Sequence, residues 1–213
     1  MRRITFTLLT DGSSDRCLLP HIQWAIAEAL AGESYQLDAQ WADLRGLPQV
    51  SNELTARIQL AIELYPCNLL LIHRDSESQP YTKREEEITE ALADAAASAL
   101  PVSVRLIPVR MQETWLLVDE QAIRVAAGNP KGRVQLDIPR IGNLETLSKP
   151  KAILHTALRT ASELSARRLH GFNPEARAFQ VGDSITDFTP LRQLPSFQRF
   201  AIELQQALAT IEY

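Results

Sequence analysis

Residues 68–77 read NLLLIHRDSE and contain the pattern that decides the fold. The run from Leu69 to Ile72 is continuously apolar, which is typical of a strand buried on both faces of a parallel sheet. Three more segments have the composition of strands: 3–9, 36–44 and 102–109. Each of the four is followed by a stretch with helical periodicity. This alternation predicts an α/β fold with a mostly parallel sheet flanked by helices.

The pattern changes after residue 127. Residues 128–150 contain three glycines and three prolines with little periodicity, and we interpret them as a linker. Helical character returns in the segments 151–168, 183–188 and 196–208. We therefore predict an α/β core over residues 1–127, followed by a linker and a C-terminal helical subdomain over residues 128–213 that packs on the core.

Composition limits the classes of protein to which the chain can belong. It has 213 residues, of which 45% are hydrophobic and 23% charged, so it can bury a core and is neither disordered nor rod-like. Its apolar runs are shorter than the about 20 residues of a membrane span, and the first run is too short for a signal peptide. Two cysteines, Cys17 and Cys67, are too few for a disulfide framework. These features predict a cytoplasmic protein that is not bound to a membrane.

Charge is distributed unevenly along the chain, whose net charge is −4. Residues 1–123 contain 10 basic and 18 acidic side chains, whereas residues 124–177 contain 10 basic and 4 acidic ones. An acidic segment followed by a basic one fits a metal-binding core beside a flank that binds phosphate groups. Solvated helices would give the same asymmetry, and the sequence leaves both interpretations open.

Carboxylates follow three of the four predicted strands. Asp11 and Asp15 follow the first strand, Asp75 and Glu77 follow the third, and Glu113 follows the fourth. The carboxyl ends of parallel strands meet at one edge of the sheet, where ligands bind. Like charges so close raise one another's pKa unless a cation neutralises them, and Mg²⁺ takes carboxylate oxygens as ligands. Asp75 and Glu77 are two apart in an extended stretch, so they would point the same way and share one ion. Singly, each acid could also be a solvated loop or helix-start residue.

The chain contains, in this order, the segments LLTDGSSDRCLL (8–19), LLLIHRDSE (69–77) and MQETWLLVDEQAIR (111–124). Together they resemble the TOPRIM fold, the metal-binding α/β domain of topoisomerases, primases and overcoming-lysogenization-defect nucleases. The likeness is greatest to a bacterial TOPRIM-like family of unknown function that is often encoded beside ATPases. Two later segments, KPKAILHTAL (149–158) and LPSFQRFAIEL (194–204), also resemble that family.

The resemblance implies particular ligands for one or two Mg²⁺ or Mn²⁺ ions. TOPRIM proteins carry Glu-Gly after the first strand and Asp-x-Asp after the third. Here those positions are Asp11-Gly12 and Asp75-Ser76-Glu77. Asp75 and Glu77 would hold the ion or ions, Asp15 and Glu113 would complete a second site, and Asp11 would be a ligand or a general base.

The implied chemistry is metal-dependent cleavage of nucleic-acid phosphodiesters, with DNA as the expected substrate. Phosphate contacts would come from Arg74, Lys149 and Lys151, and Lys151 would also stabilise charge in the transition state. With Asp11 and Glu113, Lys151 completes the predicted catalytic set. The resemblance further implies an ATPase partner and a role in defence against foreign DNA. For both lysines, a solvated loop or helix start is the alternative.

Two other functions stay open on the sequence. Asp11 and Glu77 differ in length from the acids of the TOPRIM pattern, which would suit an inactive TOPRIM-like module that binds nucleic acid or a partner protein. TDGSSD also partly matches the D-x-S-x-S pattern of an adhesion-type module, which binds protein through a metal ion. In that match Asp15 stands where the last serine belongs.

Overall fold

The structure is a computed structural model that describes residues 1–45, 47, 53–77, 79–95 and 100–211. Four strands form one sheet: β1 (Arg2–Leu9), β2 (Tyr35–Trp41), β3 (Leu69–His73) and β4 (Val102–Leu106). All neighbouring strands are parallel, and their order is β2-β1-β3-β4. The predicted α/β fold with a parallel sheet flanked by helices is thereby confirmed.

Nine α-helices lie within the described ranges. They are α1 (Leu19–Ala29), α2 (Leu54–Leu64), α3 (Tyr81–Ala95), α4 (Glu113–Leu116), α5 (Glu120–Ala126), α6 (Pro150–Ala161), α7 (Ala166–Leu169), α8 (Pro174–Ser184) and α9 (Pro195–Thr210). Short 3₁₀ helices cover Ser14–Leu18, Ile141–Thr146 and Thr189–Gln193. In this described part of the chain, no helix has the length and apolar character needed to cross a membrane.

The strand order creates a crevice at one edge of the sheet. After β1 the chain moves outward to β2, and it then returns past β1 to β3. The loops that follow the two central strands therefore leave in opposite directions, and ligands of such sheets bind in the crevice between them. Asp11 and Asp15 belong to the loop region after β1, and Arg74 and Asp75 follow β3 directly.

Side chains of β3 enter hydrophobic layers on both faces of the sheet. All five residues of this strand are buried, as the apolar run predicts. Leu70 and Ile72 belong to one cluster with Ile58 of α2 and Ile88 of α3. The alternate residues point to the opposite face, because successive side chains of a strand lie on opposite sides. Burial on both faces explains why polar residues first appear where the strand ends.

The chain divides into two compact units. The first comprises residues 1–107 and 199–213 and contains the whole sheet. The second comprises residues 108–198 and is helical. The predicted division into a core over 1–127 and a helical subdomain over 128–213 stays a prediction.

The stretch with helical periodicity that follows the fourth strand forms two helices instead of one, and capping explains why. Residues 113–116 and 120–126 form separate helices, α4 and α5. Between them, Asp119 has an extended backbone, and its carboxylate accepts a hydrogen bond from the N–H of Ala122 at 3.0 Å. Asp119 therefore begins a new helix instead of continuing the first one.

Helix bounds also differ in the C-terminal third. The helix predicted over 151–168 ends at Ala161, and the segment 183–188 is not a helix, since α8 ends at Ser184. The sequence analysis missed α8, although its start has a recognisable signal. Asn173 accepts hydrogen bonds from two backbone N–H groups, and Pro174 follows at the first helical position.

The burial of β3 predicts a large stability effect at its centre. Leu71 is 0% exposed, so Leu71→Ala should lower the free energy of unfolding by about 2–5 kcal/mol in urea denaturation. Leu64→Ala is the matched control, because Leu64 is 47% exposed on α2 and should change stability by less than about 0.5 kcal/mol. Similar losses for the two variants would contradict the described packing.

Candidate functional site

The loop after β1 folds around the carboxylate of Asp15. The backbone N–H of Gly12 donates a hydrogen bond to Asp15 Oδ2 at 3.0 Å, and the Ser14 hydroxyl donates to Oδ1 at 3.0 Å. The Thr10 hydroxyl donates to the carbonyl oxygen of Gly12 at 2.8 Å and accepts from Trp41 Nε1 at 3.0 Å. These bonds fix the position of Asp15, which is buried.

His73, the last residue of β3, lies between Asp15 and Asp75. Its Nδ1 is 3.4 Å from Asp15 Oδ2, and its Nε2 is 3.2 Å from Asp75 Oδ1. The imidazole is only 2% exposed, so the two carboxylates take the place of water as its polar neighbours. One buried ring thus joins the loop that follows β1 to the residues that follow β3.

The two carboxylates determine the charge of His73. Burial by itself would lower the pKa of the imidazole, but Asp15 and Asp75 raise that pKa to about 10. Burial would also raise the pKa of Asp15, but His73, the Gly12 N–H and the Ser14 hydroxyl together hold it below its ordinary value. In the metal-free protein near neutral pH, His73 is therefore an imidazolium between two carboxylates rather than a proton acceptor.

Asp11, at the start of the same loop, is held by two arginines. Arg57 of α2 reaches Asp11 Oδ1 with Nη1 at 2.6 Å, and its Nη2 donates to the carbonyl oxygen of Thr10. Arg74, the residue after β3, reaches Asp11 Oδ2 with Nε at 3.0 Å. The arginine side chains are 15% and 16% exposed, whereas that of Asp11 is 45% exposed. A half-exposed acid thus pairs with two nearly buried cations.

The ion pairs continue from Arg74 to α3. Arg74 Nη2 is 2.9 Å from Glu87 Oε1, and Arg84 Nη1 is 2.8 Å from Glu87 Oε2. Arg84 also donates from Nε to the carbonyl oxygen of Asp75 at 3.0 Å, and its Nη2 is 3.5 Å from Glu77 Oε2. We call the resulting set of alternating charges the arginine network: Arg57, Arg74 and Arg84 with Asp11, Glu77 and Glu87.

The predicted sharing of one ion by Asp75 and Glu77 assumed an extended backbone between them. The backbone is not extended at Glu77. That residue has a φ of 53°, in the left-handed region, so the backbone turns there. Asp75 contacts His73, whereas Glu77 is 66% exposed and contacts Arg84. Binding of a metal ion by Glu77 stays a prediction.

Three predicted site residues lie in the second unit. Glu113 is the first residue of α4 and is buried. Lys149 directly precedes α6 and is exposed, and Lys151 in the first turn of that helix pairs with Glu175 of α8 at 2.9 Å. Their roles in metal binding, catalysis or phosphate binding stay predictions.

The carboxylate oxygens beside His73 are ligands of the type that Mg²⁺ and Mn²⁺ prefer. Mg²⁺ is usually held by one or two carboxylates together with water and substrate phosphates, and Asp15 and Asp75 offer two carboxylates to the same small region. Among the residues that the structure describes, no group of three or more His, Cys, Asp or Glu side chains is arranged to hold a metal ion. In this arrangement His73 balances the charge of the two acids.

Sequence reasoning missed three members of the arginine network: Arg57, Arg84 and Glu87. Charged residues near the start of a helix are most often solvated, and nothing in the motifs distinguishes these from others. A positional signal exists nevertheless. Helices that follow parallel strands begin at the carboxyl edge of the sheet, and both Arg57 and Arg84 are the fourth residue of such a helix. First-turn residues of α2 and α3 can therefore reach the crevice.

Comparison with known proteins gives no relative from which a role could be transferred. No family model, no curated protein and no solved structure matches this chain. The TOPRIM likeness thus rests on short sequence segments, and it stays a prediction.

The His73 ion pairs predict a pH dependence of stability in the metal-free protein. The pKa of His73 is about 10 in the folded state and about 6.5 when unfolded, so its stabilising contribution is fully present below about pH 6.5 and is lost as the pH rises toward 10. In urea denaturation with EDTA, His73→Gln should therefore lower the free energy of unfolding more at about pH 6 than at about pH 9.

His155→Gln is the control for this experiment. Burial lowers the pKa of His155, and the nearby Lys151 adds to that effect, so its protonation opposes folding. Its replacement should thus have the opposite pH trend. Equal losses for His73→Gln at both pH values would contradict the pairing of His73 with the two carboxylates.

Proposed function

We propose that this chain is a TOPRIM-type phosphodiesterase that cleaves nucleic acid, with DNA as substrate, and depends on Mg²⁺ or Mn²⁺. One observation carries the proposal. Asp15 and Asp75 come from the chain after two different strands, yet both lie within 3.4 Å of the same imidazole. They do so at the edge of the sheet where parallel α/β proteins bind ligands.

Asp15 and Asp75 would hold the metal ion through carboxylate oxygens. When bound, such an ion polarises the phosphodiester and lowers the pKa of an attacking water. The N–H of Gly12 and the hydroxyl of Ser14 orient Asp15, and His73 balances the charge of the two acids until a metal ion takes its place between them. The guanidinium groups of the arginine network add the donors that phosphate oxygens require.

Contacts to the nucleic-acid backbone would come from the second unit. Helix α6 carries Lys151, His155 and Arg159 at intervals of four residues, so they lie on one face. Arg167 and Arg168 of α7 are exposed. These cations support the predicted phosphate contacts of Lys149 and Lys151. The ATPase partner and the role in defence are supported by the resemblance alone.

A second candidate function is a TOPRIM-like module that binds nucleic acid or a partner protein without cutting. The pairing of Asp11 with Arg57 and Arg74 favours it, because a carboxylate in two ion pairs is less available to a metal ion. The same arginines would still contribute to binding of a phosphate group. A cleavage assay therefore distinguishes the nuclease from the non-cutting module, whereas a binding assay does not.

Plasmid nicking in Mg²⁺ or Mn²⁺ tests the enzyme directly. Because Asp75→Asn removes a carboxylate charge beside His73 and a proposed metal ligand, we expect nicking to fall by about 100-fold or more. Asp38→Asn is the matched control. Asp38 is an aspartate of β2 that pairs with the exposed Arg3 at 3.1 Å, and its replacement should leave nicking unchanged.

Equal nicking by the two variants would contradict the proposed role of Asp75. If the unmodified chain does not nick with either metal but binds DNA in a salt-dependent way, the second candidate is favoured.

Salt dependence tests the contribution of α7 to DNA binding. Each phosphate contact contributes about 0.9 to the slope of log K against log salt concentration on duplex DNA, so Arg167→Gln with Arg168→Gln should reduce that slope by up to about 2. Arg3→Gln, which removes an exposed arginine from β1, should leave the slope unchanged. An unchanged slope in the double variant would show that α7 does not contact the phosphates of DNA.

A further inference from the structure

Two guanidinium groups of the arginine network share a single carboxylate. Arg57 approaches one oxygen of Asp11 at 2.6 Å, and Arg74 approaches the other at 3.0 Å. Arginine guanidinium groups also bind phosphate oxygens, because they carry several donors in one rigid plane. The position of the Asp11 carboxylate is therefore one in which a phosphate group could be bound.

Other contacts hold both arginines in place without Asp11. Arg57 also donates to the carbonyl oxygen of Thr10, and Arg74 also pairs with Glu87 at 2.9 Å. With side chains only 15% and 16% exposed, these cations have little access to water. Positive charge in such a place is costly unless an anion neutralises it. The pair of arginines is thus preorganised for an anion.

Of the two acids that contact Arg74, Asp11 is the one better able to leave. It lies in the loop between β1 and the 3₁₀ helix Ser14–Leu18, so its displacement breaks no strand or helix. At 45% exposed, its carboxylate can be hydrated once it is released. Glu87, by contrast, is fixed on α3 between two arginines. A phosphodiester carries one negative charge, as Asp11 does, so the exchange conserves the charge of the crevice.

We propose that Arg57 and Arg74 form a binding site for the phosphodiester group of a nucleic acid, and that Asp11 occupies this site as an internal anion until the phosphodiester displaces it. This inference deepens the proposed function, since Asp11 lies in the same loop as Asp15, a proposed metal ligand whose carboxylate accepts a hydrogen bond from the N–H of Gly12. It assigns Asp11 a role opposite to that of a metal ligand, because removal of its charge should strengthen substrate binding.

Calorimetric titration in EDTA tests the inference with two probes, inorganic phosphate and the thymidine dinucleotide TpT, which has one phosphodiester. Asp11→Asn should bind TpT more tightly than the unmodified chain does. If the internal anion fills the site about nine-tenths of the time, its removal raises the apparent affinity about tenfold. Arg57→Gln should weaken binding, and Arg57→Lys, which keeps the charge but loses the fork, should recover only part of it.

Asp38→Asn is the matched control, since it also frees an arginine from an aspartate and should leave TpT binding unchanged. No gain in Asp11→Asn, or a gain for inorganic phosphate alone, would overturn the inference. Thermal melting followed by circular dichroism establishes that each variant is folded. If Arg57→Gln is not folded, the TpT affinities of Asp11→Asn and Asp38→Asn still test the inference.

The two proposals can fail separately. The titration needs no metal ion. If Asp11→Asn binds TpT more tightly but the protein never nicks DNA, the phosphate site is supported and the nuclease is contradicted. If the protein nicks DNA but Asp11→Asn does not bind TpT more tightly, only the inference about Asp11 is contradicted.

Discussion

His73 can be buried as a cation at the end of β3 only because a carboxylate lies on each side of its ring. Asp15 and Asp75 are 3.4 Å and 3.2 Å from its two nitrogens, and they outweigh the effect of burial on its pKa. Since the two acids follow different strands, this interaction also fixes the separation of the two sides of the crevice. The side chains of His73, Asp15 and Asp75 therefore determine both the spacing of the two loops and the charge between them.

The acids of the crevice fall into two groups with different partners. Asp15 and Asp75 surround an imidazolium, whereas Asp11, Glu77 and Glu87 alternate with guanidinium groups. A phosphodiesterase needs a place for a metal ion and a place for a phosphate group, and the two groups suit these needs respectively. Because each charge already has a partner, ligand binding at this site is an exchange of partners rather than the filling of an uncompensated site.

Much of the fold could be predicted from the sequence, since burial on both faces of a parallel strand leaves a continuous apolar run such as Leu69 to Ile72. The placement of Asp15 and Asp75 at the carboxyl edge follows from the same reasoning. Their partners could not be predicted in this way. Arg57 is 46 residues from Asp11 in the chain, and Arg84 lies on the helix that follows β3, so their contacts depend on how α2 and α3 pack at the crevice. The break between α4 and α5 depends on one cap at Asp119, which periodicity does not detect.

The most direct test is an NMR titration of the His73 imidazole in isotope-labelled protein with EDTA. If the carboxylates hold the ring as described, His73 stays protonated to above about pH 8, and Asp75→Asn lowers its pKa. A His73 that titrates near 6.5, the value of an unperturbed histidine, in both proteins would contradict the account.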